Sequence, residues 1–169
     1  MEFGCGTGKN TAAFARVARS VLGLDISPDM LAIATDRDLP PHVDLRVIRP
    51  DDPWPLPNAS ADVVTASLVL EHIEALAGVF EEVRRVLRPG GWFWLSELHP
   101  ARQRRGSKAQ FTGPDGRSWS PDCYLHELRD YTRAAEASEM RLGVVREPGD
   151  GAVPRLLVPG FERGAGPSG

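Results

Sequence analysis

Three glycines at alternate positions, Gly4, Gly6 and Gly8, stand between a short apolar start and a segment of helical spacing over residues 9–19. A turn this bare takes backbone angles closed to other residues and lets a ligand approach the peptide nitrogens directly. The helix behind it aims its own free amides at the same spot, which favours an anionic group there. The apolar run Val21, Leu22, Gly23, Leu24 then ends at Asp25, 17 residues after Gly8. A carboxylate in that place can accept both hydroxyl protons of a ribose. Strand, glycine turn, helix, strand and acid, in that order, imply parallel strands joined by right-handed crossovers.

The remainder of the chain continues this alternation. Residues 43–48 alternate apolar and polar, as a partly covered strand does. Residues 63–70 are rich in Val and Leu and residues 92–95 are a continuous apolar stretch, which predicts strands buried on both faces. Between them Leu76, Val79, Phe80, Val83, Val86 and Leu87 fall on one stripe of a helix. Arg88, Pro89, Gly90 and Gly91 are expected to close that helix. A further helix is expected over residues 127–140, and an antiparallel last strand over 153–159, poorly paired because of its two prolines. Residues 101–122 show no period and read as an irregular loop. The fold class is therefore α/β, a Rossmann-like doubly wound sheet in one domain over residues 1–163, with 164–169 as a disordered tail.

Twenty basic residues against 23 acidic ones give a net charge of -3. A chain that grips nucleic acid through its phosphates carries a basic face, so no nucleic-acid partner is expected. Two cysteines are too few for a disulfide framework or a zinc site, and no metal is expected. No apolar run approaches the ~18 residues needed to cross a bilayer, and the start lacks the basic and apolar regions of a secretory signal. A cytoplasmic protein without a membrane partner is the expectation.

Spacing separates the ligands that suit a glycine turn. A nucleotide P-loop fails because Asn10 follows Gly8 and Lys9, and Phe3 stands where the first glycine belongs. The dinucleotide pattern fails because Lys9 and Thr11 occupy the third-glycine position in its two registers. The pattern that remains, Glu2, Phe3, Gly4, Cys5, Gly6, Thr7, Gly8, closely resembles motif I of class I S-adenosylmethionine (SAM)-dependent methyltransferases. The resemblance continues in order through residues 21–31, 53–64, 67–73 and 85–91, and it covers roughly the first 100 residues.

That resemblance implies the sheet order 3-2-1-4-5-7-6 and S-adenosyl-L-methionine as cofactor. Carried over, it implies that Gly4, Gly6 and Gly8 approach the methionyl part, with Glu2 supporting the turn or the ammonium group. Asp25 would hold the ribose and Ile26 would pack on the adenine, while Asp51 or Asp52 would accept from the adenine amino group. Ser67, Leu68 and His72 would line the pocket after the fourth strand. The family usually has helices and a full first strand before motif I, so the resemblance implies a first strand that is nearly all missing here. Where the family commonly has a left-handed glycine, this chain has Glu139, at an expected cost of about 1–2 kcal/mol.

A methyl donor of this kind brings its own activated carbon, so the protein has chiefly to align an acceptor. If the acceptor must lose a proton, His72, His99, His126 and Tyr131 are the candidate bases. His99 is the best placed, at the end of the fifth strand, because ligands of open α/β sheets bind beyond the carboxyl ends of strands. The function expected is methyl transfer to a small-molecule acceptor by in-line displacement. The rivals are a catalytically inactive SAM-binding remnant or interaction module of the same fold, and a nicotinamide-dependent oxidoreductase, which the glycine spacing disfavours.

Overall fold

The computed structural model describes residues 1–49, 52–107, 111–112, 118–119, 122–149 and 151–165. Seven strands form one sheet: β1 (Glu2–Phe3), β2 (Val21–Asp25), β3 (Val43–Val47), β4 (Ala61–Ser67), β5 (Leu87–Leu98), β6 (Met140–Arg146) and β7 (Leu156–Arg163). Their order is β3-β2-β1-β4-β5-β7-β6. The first five run parallel, whereas β7 pairs antiparallel with both β5 and β6. This is the expected 3-2-1-4-5-7-6 arrangement. β1 is two residues long, with Glu2 opposite Gly23 and Thr65 and Phe3 opposite Leu24 and Ala66.

Among the described residues, five helices connect the strands: α1 (Lys9–Phe14), α2 (Pro28–Thr35), α3 (Ala77–Val86), α4 (Pro100–Gln103) and α5 (Leu128–Ala137), with a 3-10 turn at Leu70–His72. Residue chemistry explains several ends. Ser27 caps α2 by accepting from the Met30 amide at 3.3 Å, and Pro28 opens the helix where no amide is needed. α5 begins with a reciprocal box in which Glu127 and Asp130 each accept the other's backbone N–H.

The apolar stripe of α3 buries Phe80, Val83 and Val86 completely. Phe80 meets Phe93 of β5 and Phe161 of β7 edge-on, with ring centres 5.3 and 5.6 Å apart. That geometry places electron-poor ring edges against electron-rich faces.

Several expectations are corrected. α1 stops at Phe14 rather than residue 19, because its stripe runs out at Val17, which is almost wholly exposed. α3 ends at Val86, just before Arg88 to Gly91, but that stretch belongs to β5: it bulges between Leu87, opposite Ala61, and Trp92, opposite Val63, with Gly90 at a φ of 77°. β5 is buried on one face only: Phe93, Leu95 and Glu97 point into the core. Trp92 and Trp94 stack on each other at 5.6 Å on the other face, lying over Gly143 and Gly160.

β7 lies inside the sheet, and Pro159 sits opposite Val145 within a strand flanked on both sides. α5 ends at Ala137 because Glu139 takes a left-handed φ of 56° and Met140 starts β6. Within the stretch read as loop, the chain forms α4 and a two-stranded ribbon, Phe111–Thr112 with Ser118–Trp119. Asp51 and residues 166–169 of the expected tail lie outside the described residues.

Candidate cofactor site at the carboxyl ends of the parallel strands

The order reverses between β1 and β4, one neighbour running on to β2 and the other to β5. Crossovers leave to opposite sides at such a point and open a crevice at the carboxyl ends of the strands. The glycine turn lies there. Gly4, Gly6 and Gly8 all have positive φ, at 68°, 52° and 73°. A Cβ on Gly4 would stand 2.1 Å from Cγ2 of Val69, so this position is closed by the protein itself. A Cβ on Gly6 would meet nothing within 4 Å, so the bare side of Gly6 faces open space. One glycine thus serves packing and the next serves access.

Asp25, at the end of β2, is tied to that turn. Its Oδ2 accepts from the Gly6 amide at 2.7 Å and its Oδ1 from the Ser27 amide at 2.9 Å. Each carboxylate oxygen keeps a second lone pair, so Asp25 can accept two hydroxyls while its orientation stays fixed. Ile26, next to it, is 62% exposed, a large apolar side chain at the rim of the crevice. Glu2 is buried and accepts from the Thr11 hydroxyl; burial pushes its carboxyl above the usual range. Cys5 is buried, and its thiol is pushed up to about 12, chiefly by desolvation, which removes it as a nucleophile near neutral pH.

From β4, Ser67 is half-buried opposite Ser96 of β5. Leu68 has a φ of 55°, unusual for a branched side chain, and is 44% exposed beside the crevice. His72 reaches the Asp122 carbonyl through Nδ1 at 3.0 Å; a carbonyl only accepts, so Nδ1 donates. Cys123 Sγ lies 3.8 Å from the same nitrogen. Asp52 is exposed on the loop after β3.

His99 is tied at both ring nitrogens: Nδ1 accepts from the Ala101 amide at 3.2 Å, capping α4, and Nε2 lies 3.1 Å from Glu147. His126 Nε2 contacts the Ile73 carbonyl at 2.8 Å, and Tyr131 is buried in the core.

The structure therefore brings Glu2, Gly4, Gly6, Gly8, Asp25, Ile26, Ser67 and Leu68 around one crevice. A cleft of about 840 Å³ runs from there along the sheet face between α1 and strands β4 and β5, and of this set only Glu2 and Ser67 line it. The glycine turn and Asp25 form a shelf beside that cleft.

Sequence reasoning missed the groups that hold the shelf. Thr11 faces Glu2. Arg85 of α3 clamps the loop before β4, donating to the Trp54 and Leu56 carbonyls at 2.9 and 2.7 Å and to Glu82 at 2.6 Å. Trp54 in turn stacks on Phe3 of β1 at 4.9 Å. Glu97 was also missed, although its register carries a signal: it shares the core face of β5 with Phe93 and Leu95 at two-residue spacing.

Residues 1–95 match the family model described as methyltransferase domain. The chain belongs to the class I SAM-dependent methyltransferase family. It is 44% identical over 96 residues to a Mycolicibacterium smegmatis protein named as a SAM-dependent methyltransferase, covering 57% of this chain and 36% of that one. It is 29% identical over 148 residues to a ubiquinone biosynthesis O-methyltransferase of Burkholderia vietnamiensis, covering 86% of this chain and 61% of that one. The chain thus spans about one to two thirds of these relatives.

A crystal structure of a SAM-dependent methyltransferase from Mesorhizobium loti superposes with a TM-score of 0.78 at 23% identity, covering 96% of this chain and 89% of that one. That likeness is one of fold. Among the described residues no helix is long and apolar enough to cross a membrane.

Proposed function

We propose that this chain binds S-adenosyl-L-methionine on the shelf and passes its methyl group to a small-molecule acceptor. The observation that carries the reading is the open side of Gly6 with Asp25 clamped to its amide, at the reversal point of the sheet. The cofactor, when bound, supplies a methyl carbon already activated by its sulfonium, so the protein needs no invariant nucleophile.

Asp25 holds the ribose hydroxyls with its remaining lone pairs, and Ile26 offers an apolar face to the adenine. Asp51 or Asp52 accepts from the adenine amino group. Gly4, Gly6 and Gly8 bring bare backbone to the methionyl part, and Glu2 balances its ammonium through the turn. Ser67, Leu68 and His72 border the reacting end.

The acceptor lies beyond β4 and β5, held in line with the bond that breaks; alignment at about 3–3.5 Å is the main contribution the fold can make. His99 is the proposed base where the acceptor carries a proton. That role requires Nδ1 to exchange the Ala101 amide for the acceptor's proton. His99→Asn, which keeps a cap for α4 without the proton chemistry, decides it. The ubiquinone relative, itself an O-methyltransferase by name, supports a small organic acceptor.

Calorimetric titration with SAM, S-adenosylhomocysteine and NAD tests the cofactor assignment. Micromolar binding of the first two and none of the third is expected. Asp25→Ala should weaken S-adenosylhomocysteine binding at least tenfold, since it removes charge-assisted hydrogen bonds of about 1.5–3 kcal/mol each. Undiminished binding by a folded Asp25→Ala chain overturns the reading.

A further inference from the structure

Beneath the turn that follows β4 lies a pair of buried acids with no part in the scheme above. Glu97, near the end of β5, is 1% exposed, and its carboxyl group sits under the backbone of residues 69–71. Oε1 accepts from the Val69 and Leu70 amides, both at 3.2 Å, and Oε2 from the Glu71 amide at 3.4 Å. Glu71 is itself 1% exposed. Its Oε2 accepts from Gln103 of α4 at 2.9 Å, and its Oε1 has no hydrogen-bond partner among the described residues.

The backbone so held is the one that matters to the crevice. It continues directly from Leu68 with its positive φ, and it carries Val69, whose side chain closes over Gly4. We propose that Glu97 is the positioning residue of the cofactor crevice, fixing the turn after β4 from below. The proposal rests on the cofactor reading above.

A carboxyl group sealed from water does not ionise readily. With the proton on Oε2, Glu97 keeps Oε1 as a carbonyl-type oxygen that accepts from Val69 and Leu70. Burial, with the Glu71 charge as a smaller contribution, pushes Glu97 up to about 8 against the pull of the three amides.

The other titratable groups nearby are His72, whose Nε2 is 3.9 Å from Glu71 Oε1, Cys123 and His126 from the segment before α5, and Tyr131 and Asp130 from α5. The acid pair raises the Tyr131 hydroxyl further after desolvation, so Tyr131 stays protonated throughout. Losing the Glu97 proton places a negative charge beneath the turn, and the turn must shift to let water reach it.

Two measurements on the whole chain test this. The first follows the backbone amides of Val69, Leu70 and Glu71 by NMR against pH, without cofactor. In wild type the three should move together with a midpoint near 8; in Glu97→Gln, a neutral isostere of the protonated acid, that transition should vanish. The second titrates S-adenosylhomocysteine across the same range.

Wild type should lose affinity at least tenfold as pH rises through 8, while Glu97→Gln holds its affinity. Glu97→Ala, checked as folded by circular dichroism, should bind at least tenfold more weakly at every pH. Amides that do not titrate, or matching pH profiles for wild type and Glu97→Gln, overturn the proposal. Amides that titrate in a chain that binds no S-adenosylhomocysteine overturn the cofactor reading and, with it, the positioning role.

Discussion

Gly4→Ala offers the sharpest test of why the turn is built from glycine. The new Cβ would stand 2.1 Å from Cγ2, 2.9 Å from Cγ1 and 3.1 Å from Cβ of Val69. Val69 cannot simply withdraw, because its amide is bonded to Glu97. Two costs add. Holding alanine at a φ of 68° costs about 1–2 kcal/mol. Forcing a methyl into occupied space costs about 1–3 kcal/mol.

The total of about 2–5 kcal/mol should appear in urea unfolding followed by tryptophan fluorescence. For a chain this size it corresponds to a drop in Tm of roughly 5–15 °C. Adding Val69→Ala removes both clashing methyls. The double variant should therefore be less destabilised than the sum of the single ones by about 1–3 kcal/mol, leaving only the backbone strain. A Gly4→Ala loss below about 1 kcal/mol, or strict additivity with Val69→Ala, refutes the packing account.

Other consequences are open to measurement. Arg85→Ala should cost about 2–3 kcal/mol, since it strips charge-assisted bonds from the Trp54 and Leu56 carbonyls, and the Trp54 emission should shift to the red. Glu139→Gly should raise stability by about 0.5–1 kcal/mol: it relieves a φ of 56°, while the ion pair it gives up with Arg84 is exposed and glycine's own unfolded-state entropy takes back part of the gain. Stability should also depend on pH. Glu97 titrates higher folded than unfolded, so its contribution is full below about 4.5 and is lost as pH rises through about 8. Thermal midpoints should fall across that window in wild type and much less in Glu97→Gln.

Local chemistry made much of this molecule readable in advance. The glycine turn, the acid ending β2 and the stripe of α3 each follow from short-range rules, and each lies where those rules put it. What failed had causes beyond the local pattern. Trp92 and Trp94 read as core residues, yet their face of β5 is covered by each other and by the glycines of β6 and β7, partners some 50 to 70 residues away. Arg88, Pro89 and Gly90 have the composition of a helix stop but fall within β5, as a bulge between Leu87 and Trp92, the two residues that β4 pairs on either side of it.

In the site, the glycines and Asp25 were legible because they need particular residue types at fixed spacing. Thr11, Arg85 and Glu71 were not, since each acts through a partner 9 to 32 residues distant that only the tertiary fold supplies.

β7, the last of the described strands, is an interior strand of the sheet. Until β7 is in place, the long side of β5 and the inner side of β6 both present unpaired peptide groups, and neither can satisfy the other across the gap. On the ribosome, β5 and β6 must therefore wait for β7 to leave the exit tunnel, with adhesive edges bare meanwhile. Removing residues 156–163 would act less like trimming a tail than like drawing a stave from the middle of a barrel.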